Sequence, residues 1–346
     1  MSAGHACRLC GAQLTRTFVD LGMSPLCESY VCADRLDAAE VFYPLHVRLC
    51  GECLLVQLPA YVPGEDIFSD YAYFSSYSDS WVAHAKRYAQ DMTAQLGLTP
   101  DSLVAANNVF AHVPDIRGFA GGLRALVKDS GLVTLEFPHL LRLIERRQYD
   151  TIYHEHFSYL SLLTSSRALE TAGLHVVDVE ELSTHGGSLR VHARPADSVG
   201  EPSERVKAVL DAEAAAGLHT VAGHEGFAGE VLRIKSDLVE FLVTAARAGK
   251  SVAGYGAPGK GNTLLNHCGI RSDLLAYTVD RSPVKQGKFL PGTHIPIYPP
   301  ERIAQTKPDY ILVLPWNLRD EISEQLGYVR SWGGRLVFPI PALEVN

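Results

Sequence analysis

The chain has 346 residues, a formal net charge of −8 and a composition that is 47% hydrophobic and 20% charged. Because this length exceeds one ordinary hydrophobic core, we expect two or three domains. An acidic chain lacks the concentrated basic face that nucleic acid or an acidic membrane requires in a partner, so both are excluded as partners. With no long apolar run and no leader-like start at Met1, a cytoplasmic protein is expected.

Four of the seven cysteines form two C-x-x-C pairs near the start of the chain, Cys7 with Cys10 and Cys50 with Cys53. Two such pairs are typical of zinc sites rather than of disulfides. Since four thiolates close a tetrahedral site and leave no open position, we predict a structural Zn²⁺ in a small domain, residues 1–65. The other three cysteines are interpreted as buried apolar residues: Cys27, Cys32 and Cys268.

The middle of the chain, residues 66–200, alternates apolar strands with helical patterns, which is the order of an α/β domain. We predict strands over 103–110, 132–137, 175–179 and 188–193, and helices over 118–127, 140–147 and 165–172. The domain opens with aromatic and hydroxyl side chains suited to holding a sugar or a phosphate. This cluster comprises Tyr71, Tyr73, Phe74, Ser75, Ser76, Tyr77, Ser78 and Ser80.

Residues 201–346 are predicted to form linker helices, over 203–248, and a Rossmann-like domain. A strand at 251–253 leads into a G-x-G-x-x-G turn at 254–261, and Asp280 ends the next apolar run, 274–279. Backbone N–H groups of such a turn, with Lys260, would hold a phosphate at a helix start. A tight strand-to-helix turn without any ligand is the alternative.

The densest group of acid–base side chains lies at 150–159, where His154, Glu155 and His156 stand beside Tyr153. A histidine supported by a carboxylate suits the role of general base for a weak carbon acid. Metal ligation and a structural histidine pair are the alternatives, although zincins space their histidines four apart. His112, a second candidate acid or base, follows a predicted strand, where ligand-facing loops emerge.

In combination these segments resemble the zinc-containing sugar C-methyltransferases, which methylate C3 of dTDP-4-keto-deoxysugars using S-adenosylmethionine. The matching segments are the C-x-x-C pairs and residues 73–76, 107–115, 136–139, 153–158, 185–190 and 279–283. The resemblance implies that His156, backed by Glu155, removes the C3 proton, with Tyr153 and His112 as further catalytic residues. Substrate-binding roles are assigned to Tyr73, Ser75, Ser76, Tyr77, Asn108, His154, His185 and Lys260.

One part of the family pattern is missing. In the family, the strand near residue 103 is followed by a glycine-rich turn for S-adenosylmethionine and by two further strands, the first of which ends in an acidic residue. Here 101–104 runs almost directly into 105–108, so roughly sixty to seventy family positions, about two βα units, have no counterpart. We therefore expect a truncated methyltransferase-like domain that does not bind S-adenosylmethionine.

The remaining chemistry is that of a carbon acid. A C4 ketone acidifies the C3 hydrogen, a base removes it, and the enolate is stabilised and then quenched. Without a methyl donor the quenching group is a proton, which predicts a dTDP-4-keto-deoxysugar 3-epimerase or isomerase. The alternatives are a C3-methyltransferase that does use S-adenosylmethionine, a non-catalytic sugar-nucleotide-binding partner, and an NAD-dependent sugar dehydrogenase. The oligomeric state stays open.

Overall fold

A computed structural model of the chain describes residues 5–63, 66–67, 87, 90, 104–198 and 200–346. The described elements form three sheets, two of four strands and one of six. Helices accompany the second and third sheets, so the α/β class predicted from the sequence is confirmed. None of the helices in the described part of the chain combines the length and the apolar character that a membrane-spanning helix needs.

The first sheet is antiparallel and joins the N-terminal region to a distant segment. It contains β1 (Arg16–Ser24), β2 (Tyr43–Leu49), β3 (Val56–Gln57) and β6 (Ser158–Tyr159), in the order β1-β2-β3-β6. Buried and half-buried positions alternate along β2, the pattern of a strand with one face on a core. Because β6 begins two residues after His156, this sheet holds one end of residues 150–159, called the histidine segment below.

The second sheet belongs to the middle region. Its strands are β4 (Val104–Asn107), β5 (Val133–Pro138), β7 (Leu174–Leu182) and β8 (Ser188–Pro195), in the order β4-β5-β8-β7. β4 and β5 are parallel, whereas β8 is antiparallel to both neighbours. The helices are α1 (Ile116–Leu126), α2 (Leu140–Glu145) and α3 (Leu162–Glu170), which confirms the predicted elements to within a few residues.

Two helices link the middle region to the third sheet: α4 (Glu204–Ala215) and α5 (Phe227–Arg247). Left-handed glycines at Gly217 and Gly226 separate them, so the helical region predicted over 203–248 is two helices. Glu213 of α4 is fully buried, and its carboxylate accepts hydrogen bonds from the Leu162 and Leu163 N–H groups at the start of α3. Helix α4 of the linker is therefore hydrogen-bonded to the start of α3 in the middle region.

The third sheet is Rossmann-like, as predicted. It contains β9 (Val252–Tyr255), β10 (Thr278–Val279), β11 (Ile297–Tyr298), β12 (Tyr310–Val313), β13 (Arg335–Phe338) and β14 (Glu344–Val345), in the order β11-β10-β9-β12-β13-β14. All neighbouring pairs are parallel except β13 with β14. Its helices are α6 (Gly259–Cys268), α7 (Glu301–Thr306) and α8 (Arg319–Gln325). The order changes direction at β9, whose carboxyl end leads into the glycine-rich turn.

The apolar cores cross the predicted domain boundaries. One buried cluster joins the first sheet, α5 and the third sheet, and a second joins the paired cysteines to the middle sheet. The boundaries at residues 65 and 200 stay a prediction, because the described residues pack across both of them.

Candidate functional site

The four paired cysteines converge on one point. The Sγ atoms of Cys7, Cys10, Cys50 and Cys53 all lie within 4.8 Å of one another, and the Cys7–Cys53 and Cys10–Cys50 pairs are 3.5 Å apart. Four sulfurs at about 2.3 Å from a tetrahedral zinc would be about 3.8 Å from each other. The residues present therefore fit the predicted Zn²⁺.

The local backbone explains how the zinc site forms. In each pair the chain turns back on itself, with Gly11 N–H donating to the Cys7 carbonyl and Leu54 N–H to the Cys50 carbonyl. Gly11 and Leu54 both adopt left-handed φ angles, 79° and 65°. Four thiolates saturate the ion, so the geometry agrees with a structural zinc. Of the other cysteines, Cys27 and Cys268 are buried as expected, whereas Cys32 is exposed, so the expectation for it is wrong.

His156 is the centre of the candidate active site. Its side chain is only 7% exposed, and its Nδ1 lies 2.8 Å from the carbonyl oxygen of Thr151. Because a carbonyl only accepts hydrogen bonds, Nδ1 carries the proton and Nε2 carries the lone pair. This tautomer is the one that a base acting through Nε2 requires.

Several predicted residues gather around His156. The ring centroid of Tyr153 is 4.1 Å from that of His156, and the ring of His112 is 4.6 Å away. Burial lowers the pKa of His156 well below its ordinary value, and electrostatic interactions with His112, His185 and Lys260 lower it further. The imidazole is therefore neutral at neutral pH and ready to accept a proton.

Glu155 does not support His156 directly, so that expectation is wrong. Its carboxylate oxygens lie 3.3 and 3.4 Å from the Sγ atom of Cys27, whose thiol donates to them. The carbonyl of Thr151 holds the His156 ring instead, since neighbouring side chains in this turn point to different sides. Burial raises the pKa of Glu155 to about 7. Its predicted catalytic role stays a prediction.

His154 is placed away from the His156 ring. It is 3% exposed, its Nε2 lies 3.3 Å from the Pro44 carbonyl oxygen, and its ring packs edge-on against Tyr43. Burial lowers the pKa of His154 to about 4. These contacts attach the histidine segment to β2, and they favour a structural role over the predicted substrate contact.

Asn108 and His185, two further predicted site residues, lie next to each other. Asn108 Nδ2 and His185 Nε2 are 3.5 Å apart, and both residues have φ angles near +54°, which side-chain-bearing residues rarely adopt. The carbonyl of Gly186 accepts hydrogen bonds from Arg146 and Gln148, both at 2.8 Å, and these hold the turn. Strained backbone of this kind clusters at functional sites. No sequence pattern predicts the strain.

Lys260 approaches the site from the third sheet. Its Nζ lies 2.8 Å from Asn317 Oδ1 and 4.7 Å from the centre of the Trp316 ring. Trp316 in turn donates from Nε1 to the buried Asp150 carboxylate at 2.6 Å. Trp316 and Asn317 lie more than 150 residues from Asp150 along the chain, so no local pattern predicts that these side chains meet.

The glycine-rich turn is already occupied by carboxylates of the chain. The Gly259 N–H group at the start of α6 donates to Glu28. Asp280 accepts hydrogen bonds from Ala257 N–H at 2.7 Å and from Ser282 N–H at 2.8 Å. These contacts match the ligand-free turn rather than a phosphate site, and they disfavour the NAD-dependent alternative. The hydroxyl and aromatic candidates Tyr73, Ser75, Ser76 and Tyr77 lie outside the described residues.

Comparison with known proteins agrees with this arrangement. Residues 7–68 match a putative zinc binding domain, residues 58–179 a methyltransferase domain, and residues 183–341 a C-methyltransferase C-terminal domain. The chain is also 31% identical over 399 aligned positions to C-methyltransferase NovU of Streptomyces niveus, covering 97% of this chain and 95% of NovU.

The aligned lengths agree with the shortening expected from the sequence. The covered 97% of 346 residues supplies only about 336 residues for 399 positions, so about 60 positions have none in this chain. The matches support methyl transfer to carbon rather than the predicted epimerisation. With its four-cysteine site and with matches along nearly its whole length, the chain belongs to the zinc-containing sugar C-methyltransferases.

Proposed function

We propose that the chain acts on C3 of a nucleotide-linked 4-keto-deoxysugar, and that His156 removes the C3 proton, the step with which C-methylation begins in this family. The observation that carries this proposal is the hydrogen bond from His156 Nδ1 to the Thr151 carbonyl. It presents an unprotonated Nε2 among half-buried polar side chains. The same fixed tautomer keeps the imidazole oriented throughout the reaction.

Proton removal generates an enolate, whose oxygen needs hydrogen-bond donors or a positive charge. Tyr153 and His112 lie against the His156 ring, His185 and Lys260 interact with it electrostatically, and Asn108 contacts His185. All five side chains are half-buried. The negative diphosphate of a sugar nucleotide would raise the pKa of His156 again, since an opposite charge favours the protonated form. Substrate binding would thus strengthen the base at the moment it is needed.

S-adenosylmethionine, the methyl donor that the family implies, does not fit the residues present. In the family a glycine-rich turn for the donor follows the strand near residue 103, but here residues 104–117, from β4 to the start of α1, contain no glycine. A donor site of the ordinary kind needs backbone N–H groups at such a turn and a carboxylate for the ribose. The described residues therefore support the proton abstraction alone.

The test is incubation with a dTDP-4-keto-6-deoxyhexose in heavy water, with and without S-adenosylmethionine. We expect deuterium at C3 without the donor, measured by NMR. A methylated product formed only with the donor would show that methyl transfer follows. Absence of both deuterium and methyl at C3 would refute the proposal.

A matched pair of variants isolates the base. His156→Asn removes the proton acceptor and should abolish deuterium uptake, because an amide cannot accept a proton at working pH. His224→Asn is the control, since His224 is also buried and its Nδ1 lies 2.9 Å from the Thr220 carbonyl, but it packs against Phe18 instead. If both variants exchange at the native rate, the base is another residue.

A further inference from the structure

Two adjacent residues of the N-terminal region, Cys27 and Glu28, reach both halves of the candidate site. The Cys27 thiol donates to the Glu155 carboxylate at 3.3 to 3.4 Å. The Glu28 carboxylate accepts the Gly259 N–H group at the start of α6. Glu155 immediately precedes His156, and Gly259 immediately precedes Lys260.

The Cys27–Glu28 pair is itself held firmly. The Cys27 carbonyl accepts a hydrogen bond from Asn262 Nδ2. Glu28 Oε2 lies 2.9 Å from the Tyr30 hydroxyl and 3.6 Å from Lys285 Nζ. Cys27 is 2% exposed and Glu28 is 7% exposed. Cys27 is thus fixed against the segment that carries His156, and Glu28 is fixed against the segment that carries Lys260.

The packing leaves no space for these contacts to shift. A Cβ atom added to Gly259 would lie 2.7 Å from Cys27 Sγ and 3.0 Å from Glu28 Oε1. A carboxylate at the start of a helix also interacts favourably with the helix dipole and with its free N–H groups. The glycine at this position is explained by the close approach of the N-terminal region, without any bound phosphate.

We propose that Cys27 and Glu28 are positioning residues that set where His156 and Lys260 lie relative to each other. The proposal rests on the proposed function, in which His156 is the base and Lys260 meets the substrate. Small displacements of a base from its reacting atom cost up to about a hundredfold in rate. The zinc-binding region would therefore contribute to catalysis without touching the substrate.

The two residues should affect different kinetic constants. Cys27→Ala removes the contact with Glu155 and so loosens the segment that carries His156. The rate constant for C3 deuterium uptake should therefore fall roughly tenfold while KM stays unchanged. Glu28→Ala removes the contact with Gly259 and so loosens the helix start that carries Lys260. The Kd for dTDP and the KM should therefore rise roughly tenfold, with a smaller effect on the rate constant. Glu28→Gln, which keeps an acceptor oxygen, should restore most of the affinity. Cys32→Ala, at an exposed cysteine nearby, is the control.

Zinc content and the urea midpoint separate positioning from loss of structure. The proposal is supported if Cys27→Ala and Glu28→Ala retain one zinc and show the split between rate constant and affinity. It is refuted if the constants of both variants match those of Cys32→Ala, or change only in proportion to the urea midpoint. Adding Glu28→Ala to Lys260→Met should weaken dTDP binding no further, since both act through one contact.

The dTDP titration needs no turnover, so it distinguishes the two proposals. If the unmodified chain takes up no deuterium at C3, the proposed function fails, and the dTDP affinities of Glu28→Ala, Glu28→Gln and Lys260→Met still test the positioning role. If deuterium uptake is normal and Glu28→Ala binds dTDP with native affinity, the positioning role of Glu28 fails alone.

Discussion

Replacing Glu155 by glutamine should change how the stability of the fold depends on pH. Glu155 is 1% exposed, and burial raises the pKa of its carboxyl from 4.5 to about 7. Between these two values the folded chain binds the proton more tightly than the unfolded chain does. The free energy of unfolding therefore decreases as pH rises through this window, because the folded state must then hold a buried charge.

The size of the effect follows from the pKa difference. One pKa unit corresponds to about 1.4 kcal/mol, so the Glu155 contribution weakens the fold by about 2 kcal/mol between about pH 5.5 and about pH 8. Glu155→Gln lacks this contribution. Its free energy of unfolding relative to the unmodified chain should thus rise by about 2 kcal/mol over the same range. Glu28 and Asp150 also have raised pKa values, but they are present in both proteins and largely cancel.

The assay is urea denaturation at several pH values with zinc present, followed by tryptophan fluorescence. Asp309→Asn is the control, because its ion pair with Lys250 lowers the pKa of Asp309 to about 2. That carboxylate is ionised in both states throughout the range, so the stability difference of this variant should not vary with pH. A pH-independent difference for Glu155→Gln as well would refute the reasoning.

Three further predictions concern the metal, the loop at 184–187 and the methyl donor. Metal analysis should find one tightly held zinc per chain, and Cys53→Ser should lose it together with cooperative unfolding of the first sheet. Gly186→Ala should destabilise by about 2 kcal/mol and reduce C3 exchange, because its Cβ would lie 2.5 Å from Gln148 Nε2 at a φ of +87°. Gly229→Ala, with nothing within 4 Å, should be neutral or stabilising, and urea midpoints compare the two. Calorimetric titration should show no saturable S-adenosylmethionine binding at micromolar concentrations. Clear saturation would contradict the conclusion that the residues present do not fit this donor.

Local features of the sequence predicted a large part of this molecule. The spacing of two C-x-x-C pairs was enough to predict the zinc site, because each pair forms its own turn. Hydrophobic periodicity predicted the strands and helices of the middle sheet and two strands of the third, since it reports which face of each element is buried. The predicted strand over 274–279 is the clearest overestimate, as only Thr278 and Val279 pair in the sheet.

The tertiary structure decided which chemical groups meet. Adjacency in sequence suggested that Glu155 supports His156, yet the Glu155 carboxylate faces Cys27, which is 128 residues away. The glycine-rich turn suggested a phosphate, yet Glu28 already supplies the anion at the helix start. Lys260 is linked to the site because the third sheet places its charge where it lowers the pKa of His156. Such contacts depend on how whole sheets pack, whereas a sequence pattern records only the preferences of residues that are close along the chain.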